Sequence, residues 1–253
     1  MQLLEISHPD FPLLQMFLRN APGTYQHSLQ VANLAQQAAE AIGADSVLTR
    51  VGALFHDIGK SKDASFFVEN QAPGNLNTHV DITPEEAAQK IIQHVLDGVA
   101  LAHKNHLPRR IDDFILEHHG TMVTRYQYNQ ALEKAGGDAS QVNADQFRYP
   151  GPSPRSRETA ILMLADGAEA RTRAEGADSD DDLRTIVRSV IERVQKENQL
   201  DHAPLTMRDL NLITESFVTT LRGTYHPRIQ YPSAEPPAAS AKIQTTSIKA
   251  KPS

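Results

Sequence analysis

Apolar residues recur along this chain at the helical period almost throughout, and no stretch alternates convincingly at period two. Between Gly23 and Ile42, residues Val31, Leu34, Ala35, Ala38 and Ile42 form one stripe, which Gly43 ends. The segment Asp45 to Ile58 repeats the pattern through Val47, Leu48, Val51, Leu54 and Phe55, with Gly59 as its stop. Thr83-Pro84-Glu85-Glu86 opens the next helix: Thr caps, Pro takes the first helical position, and Glu stands three residues after the cap. That helix is predicted to run to about Asn105. Shorter helices follow from Pro108 and after Gly120; Arg157 to about Glu175, Asp180 to Gln199 and Thr206 to Gly223 complete the set. The pattern predicts an all-α fold, a helical bundle, with a long loop at Phe66–Asp81 and a second, rich in Pro and Gly, at Tyr149–Pro154.

Composition narrows what such a bundle can do. From Ser233 onward the chain is Pro, Ala, Ser, Thr and Lys with little to bury, so 233–253 reads as a disordered tail. That leaves 1–232 as one domain, with a helical lead-in over 1–22 and enough chain to bury a sizeable core. There is no cysteine among the 253 residues. Disulfides, thiolate zinc sites and cysteine nucleophiles are excluded, and any metal must be held by His, Asp and Glu. A net charge of −6 and the absence of a basic run in 1–232 argue against binding long DNA or RNA, while a small anion in a metal pocket stays allowed. No segment approaches the roughly twenty apolar residues that cross a bilayer, and the N-terminus lacks a signal peptide's regions, so the chain is expected to be soluble. Its opening, MQLLEI, reads as the cut end of a larger protein.

The informative feature is how the eleven histidines fall. His56-Asp57 and His118-His119 each put two metal-ligating residues side by side near predicted helix ends. Neighbouring helical residues point roughly 100° apart, so such a pair offers two ligands to one metal or reaches two metals. An Asp carboxylate has two oxygens and can bridge two cations. His27 lies in register with Val31, Leu34 and Ala38; His94 shares the stripe of Ala87, Ile91, Gly98 and Leu101; Asp166 shares that of Leu162, Met163 and Ala170. A carboxylate among apolar neighbours is costly unless paired or bound to metal. A lone His is more often a hydrogen-bonded core or surface residue, and a lone Asp more often a cap. Three polar residues facing inward from three helices are what a metal site inside a bundle requires, and seven such residues in one order are not expected from seven separate structural causes.

The string His56-Asp57-Ile58-Gly59-Lys60, preceded by His27 and followed by Asp166, resembles the core pattern of the HD phosphohydrolase superfamily. The resemblance implies a two-metal site. His27, His56, Asp57 and Asp166 would bind the first metal, and Asp57, His94, His118 and His119 the second, with Asp57 bridging. Gly23-Thr24-Tyr25-Gln26-His27-Ser28, Phe67-Val68-Glu69-Asn70-Gln71, His118-His119-Gly120-Thr121, Phe147-Arg148-Tyr149-Pro150-Gly151-Pro152 and Tyr225-His226-Pro227-Arg228-Ile229-Gln230-Tyr231-Pro232 are similar to the cytoplasmic HD domain of the seven-transmembrane HD family. The best-known activity of these bacterial membrane proteins is cyclic di-AMP phosphodiesterase. Intact members carry an extracytoplasmic region and a seven-helix membrane bundle before this domain, so the resemblance implies a fragment of a plasma-membrane protein. The sequence departs from the pattern at Asn77-Thr78-His79-Val80, and His79 is given no role. After His118-His119 it continues Gly-Thr-Met-Val-Thr-Arg, without the Gly-Tyr-Pro element of cyclic di-GMP-specific HD enzymes.

The chemistry so implied is attack of a metal-bridging hydroxide on one phosphodiester of cyclic di-AMP, opening the ring to the linear 5′-phosphorylated dinucleotide. A His-rich, carboxylate-containing site suits two iron or manganese ions better than magnesium, which prefers oxygen ligands. Lys60 has two readings, a cation that neutralises a phosphate oxygen or one that complements the helix dipole. Arg125, Tyr126, Tyr128, Arg148 and Tyr149 are candidates for base stacking and phosphate contact, with packing or surface roles as the alternative. The rivals are an HD enzyme acting on another nucleotide, a nucleotide-sensing domain that does not cleave, and a di-iron oxygenase. One-metal HD nucleotidases do not need His94, His118 and His119, and a degenerate sensor would be expected to lack ligands that are all present here.

Overall fold

The computed structural model describes residues 3–71 and 82–224. Two short helices, α1 (Leu3–Ile6) and α2 (Pro12–Asn20), form the lead-in. They run into α3 (Pro22–Ile42), which begins with Pro in its first turn and ends at Gly43, left-handed at φ 67°. Next come α4 (Ser46–Phe55), α5 (Pro84–Lys104), α6 (Arg110–Glu117) and α7 (Arg125–Lys134). The long helices α8 (Arg157–Glu175), α9 (Asp180–Lys196) and α10 (Met207–Thr224) close the bundle. Among the described residues there is no strand; one isolated antiparallel bridge joins Val123 and Arg148.

The capping chemistry expected of the sequence is in place. Thr83 Oγ1 accepts from the Glu86 backbone N–H at 3.2 Å, while the Thr83 N–H donates to Glu86 Oε2 at 2.9 Å. Asp45 accepts from the Leu48 N–H at the start of α4, and Ser179 from the Asp182 N–H at the start of α9, each satisfying an orphan N–H of the first turn. Thr206 Oγ1 accepts from the Asp209 N–H at 3.1 Å at the start of α10.

Helix α3 is the central element, packed against α4, α8 and α10, with α9 against α8 and α10. Phe17, Phe55, Phe114 and Phe217 are fully buried in this core, so the lead-in helices and the bundle share one apolar interior. Helix α5 lies across the turn that follows α4 and also contacts α6 and α7.

Three boundaries differ from expectation. The helix predicted over Asp45–Ile58 ends at Phe55; the chain then tightens into a 3-10 turn at Ile58–Lys62, with the Lys60 N–H donating to the Asp57 carbonyl. His56 and Asp57 therefore stand at the junction of two helix types. The helix from Asp180 stops at Lys196, because Asn198 takes a left-handed conformation at φ 57°. The expected loop from Phe66 begins with short 3-10 turns at Ala64–Phe66 and Val68–Asn70. The remainder of that loop, with His79, and the segment 225–253, with its Tyr-His-Pro string and predicted tail, lie outside the described residues.

Candidate metal centre

Side chains from α3, α5, α8 and the ends of α4 and α6 converge on Asp57. Its carboxylate is 2% exposed, and its two oxygens face different partners. Oδ2 lies 3.3 Å from His56 Nε2 and 3.9 Å from His27 Nε2. Oδ1 lies 3.3 Å from His94 Nε2 and 3.6 Å from His118 Nε2. Asp166 Oδ1 lies 3.0 Å from His27 Nε2 and 3.8 Å from His56 Nε2, while its Oδ2 is 4.0 Å from His119 Nδ1. All seven residues expected from the sequence are thus brought together around one point.

Backbone packing sets this convergence. A Cβ on Gly59 would run into the His94 carbonyl oxygen and lie 2.6 Å from the Gly98 nitrogen. Only a bare glycine lets the turn after Asp57 touch α5 so closely, and that contact brings Asp57 against His94. Each ring is also oriented by its neighbours. His56, His94 and His118 donate Nδ1–H to the carbonyls of Ala53, Ile91 and Ile115, each three residues earlier. A carbonyl only accepts, so Nδ1 carries the proton and each Nε2 presents a lone pair to the centre. His27 is held instead by Glu169, with Nδ1 2.5 Å from Oε2.

These groups fit divalent metal ions on their own geometry. His56 Nε2 and Asp57 Oδ1 are buried without a hydrogen-bond partner. The Nε2 atoms of His94 and His118, both lone-pair bearing, stand 3.2 Å apart, an arrangement that repels unless a cation lies between them. Ligand atoms of Asp57, His94, His118 and His119 lie mutually within 4.8 Å, as do those of His27, His56 and Asp57. Imidazole nitrogens with carboxylate oxygens suit divalent transition metals.

The protonation states agree. Burial opposes the charged form of Asp57, but the Lys60 ammonium beside it holds its carboxyl well below the usual range. Burial likewise opposes the Asp166 anion, and the hydrogen bond from His27 outweighs it, keeping that carboxyl low. Burial pushes His118 down to about 4, and His119, buried beside His118, well below its ordinary value. For His27, burial favours the neutral ring, yet hydrogen bonds to Asp166 and Glu169 overcome it and raise the pKa to about 9. The site therefore offers anionic carboxylates and, at His118 and His119, neutral imidazoles, with His27 the ligand that must shed a proton before it binds metal.

Lys60 belongs to this centre. Its Nζ is 2.8 Å from Asp57 Oδ2 and 3.1 Å from Glu69 Oε1, and lies 5.2 Å above the Phe67 ring. In the 3-10 turn it stands three residues beyond Asp57, which folds it back over the carboxylate. Beside it opens a cavity of about 420 Å³, walled by Phe66, Phe67, Ile91, Tyr126 and Tyr149 and floored by His94 and His119. Tyr149 stacks on His119, ring centres 4.2 Å apart and planes 30° from parallel.

Of the five residues expected to contact a substrate, the structure brings Tyr126 and Tyr149 to this cavity. Arg125, Tyr128 and Arg148 line a separate one. Arg125 is held there by Glu197 at 2.5 Å, Arg148 donates to the Thr121 carbonyl, and Tyr128 packs edge-on against Phe147. Two acids were missed. Glu169 lies one turn after Asp166, on the same helix face, the signal that pairs them. Glu69 sits within the Phe67–Gln71 string and donates no pattern of its own; it reaches Thr24 Oγ1 at 3.1 Å and so ties the lysine to the start of α3.

Helices around a buried cluster of His and Asp able to hold metal define the class of protein. Residues 24–171 match the HD domain family, and the chain belongs to it. It is 40% identical over 235 residues to the cyclic-di-AMP phosphodiesterase PgpH of Bacillus subtilis (strain 168), covering 92% of this chain and 32% of that protein. The PgpH of Listeria monocytogenes is 39% identical over 231 residues, with 91% and 32% covered. The crystal structure of the L. monocytogenes PgpH HD domain in complex with cyclic-di-AMP superposes with a TM-score of 0.80 at 39% identity, over 87% of this chain and 100% of that one. The chain thus spans about a third of the length of these full-length relatives. Among the described residues no helix is long and apolar enough to cross a membrane.

Proposed function

We propose that this chain is a metal-dependent phosphodiesterase that opens cyclic di-AMP to the linear dinucleotide pApA, as a domain of a larger bacterial membrane protein. The observation that carries the reading is the Asp57 carboxylate, whose two oxygens face two separate groups of histidines. Asp57 would be shared by two metal positions, with His27, His56 and Asp166 completing one and His94, His118 and His119 the other. Iron or manganese suits this donor set. When bound, such cations would lower the pKa of water and neutralise the charge that builds on the phosphoryl oxygens.

The rest of the work falls to the chain's own side chains. The buried Nδ1–H···O=C bonds fix each imidazole before substrate arrives, so no reorientation is needed at the reacting bond. Lys60, kept firmly protonated by Asp57 and Glu69, supplies a positive charge at the mouth of the aromatic cavity. Phe67, Tyr126 and Tyr149 give an adenine apolar faces to stack on while the adjoining phosphodiester lies over His94 and His119. The relatives named as cyclic-di-AMP phosphodiesterases support adenine over guanine.

The test is incubation of the iron- or manganese-loaded chain with cyclic di-AMP and cyclic di-GMP, followed by identification of products. Preferential formation of pApA, lost on chelation, is the expected result. Equal or greater turnover of cyclic di-GMP, or none of either, would overturn the substrate assignment.

A further inference from the structure

A second cavity, of about 440 Å³, opens on the other side of His119 and Asp166. Its lining differs from that of the aromatic cavity: Met122, Met163, Arg171 and Arg193 replace the phenylalanines and tyrosines. Both cavities are large enough to hold part of a small-molecule ligand, and His119 is common to the two.

Arg193, in α9, stands out among the cations here. Arg171 is bound by Glu175 at 2.5 Å and donates to Ser189 Oγ, and Arg125 is bound by Glu197 at 2.5 Å. Arg193 forms no ion pair among the described residues, and its Nε is buried without a hydrogen-bond partner. A Cβ on Gly167 would lie 2.9 Å from Val190 Cγ1 and 3.8 Å from Arg193 Nη2, so the bare backbone beside Asp166 lets α9 close on α8 and carries the guanidinium across the metal ligand's neighbour. A guanidinium that lines this cavity without an ion pair among the described residues offers its positive charge to a phosphate oxygen beside the metal centre.

We infer that Arg193 holds the phosphodiester of the cyclic dinucleotide that is not being cleaved, in the second cavity, while its twin lies at the metals. The inference rests on the proposed substrate. A cyclic dinucleotide carries two phosphodiesters, and only one can occupy the metal centre in a given turnover. The other needs a cation elsewhere, and Arg193 is the unpaired one on the far side of His119.

The test compares Arg193→Gln and Arg193→Lys with the unmodified metal-loaded chain on cyclic di-AMP and on bis(p-nitrophenyl) phosphate, which has a single phosphodiester. Arg193→Gln is expected to raise KM for cyclic di-AMP about tenfold or more, the scale of one charge-assisted hydrogen bond, with kcat little changed. Arg193→Lys should recover part of that loss. Turnover of bis(p-nitrophenyl) phosphate and metal content should be unaffected. An unchanged KM for cyclic di-AMP, or equal losses on both substrates, would overturn the inference alone. If the unmodified chain cleaves bis(p-nitrophenyl) phosphate but not cyclic di-AMP, the substrate reading fails and the inference falls with it.

Discussion

Four histidines of the centre, His27, His56, His94 and His118, are held at Nδ1 while Nε2 faces inward, and the outward-facing nitrogen decides what the inward-facing one can do. His56, His94 and His118 spend Nδ1 on backbone carbonyls of their own helices, a local arrangement any buried His near a helix end can adopt. His27 depends on Glu169, a residue 142 positions away in sequence. A carboxylate behind a metal-binding imidazole fixes its orientation and raises its basicity, and losing such a partner typically costs 10–100-fold in metal affinity. Glu169→Gln keeps the shape of the side chain but removes its charge. It is expected to weaken metal binding by about tenfold or more, measured by competition with a chelator; unchanged affinity would mean that Glu169 is only a packing partner. The seven inward-facing His and Asp residues were legible because two adjacent pairs and a helical register mark them. Glu169 and Glu69 were not, since a single acid one turn from another has many ordinary explanations. Arg125 and Arg148 were misplaced for a related reason: their charge was visible, but not Glu197 and the Thr121 carbonyl that occupy them.

At the scale of elements, the turn Ile58–Lys62 does the most to assemble the site, and it is where helical periodicity misled. An apolar stripe continues smoothly from α4 into Ile58, so the pattern does not reveal that the α-helix ends at Phe55. The change to 3-10 geometry coincides with the contact against α5, a tertiary feature invisible to a period count. Gly59→Ala tests that contact. The added methyl meets the backbone of His94 and Gly98, neither of which can rotate away. The variant should lose about 2–4 kcal/mol of stability, in the range of strained overpacking, and bind metal poorly, as read by denaturant unfolding and metal analysis. Stability within about 0.5 kcal/mol of the unmodified chain would show that the turn and α5 are not held by this approach. By contrast the helix starts at Thr83 and Thr206 were readable in advance, because a cap is a local event between residues three apart.

For the whole molecule, the buried titratable groups set a pH profile of stability that metal should change. In the unfolded chain His118 titrates near 6.5, and in the folded, metal-free chain near 4. The unfolded state therefore binds more protons in that window, and stability falls as pH drops from 6.5 toward 4; His119 acts in the same direction. His27 has the opposite sign. Its pKa rises from 6.5 to about 9 on folding, so its contribution is full below 6.5 and is lost as pH rises through 9. The metal-free chain should thus be most stable near pH 6.5, losing on the order of 2 kcal/mol toward pH 4.5, while metal loading should abolish the alkaline loss by displacing the His27 proton. Urea midpoints across pH 4.5–9.5, with and without metal, check this; a metal-free profile that climbs steadily to pH 9 would contradict it.

The central claim is that Asp57 joins two metal positions, and metal stoichiometry tests it most directly. The chain reconstituted with iron or manganese should hold about two ions per molecule, and Asp57→Ala, with both positions losing a shared ligand, should hold fewer than about one. Two ions retained in Asp57→Ala, or no more than one in the unmodified chain, would contradict the account.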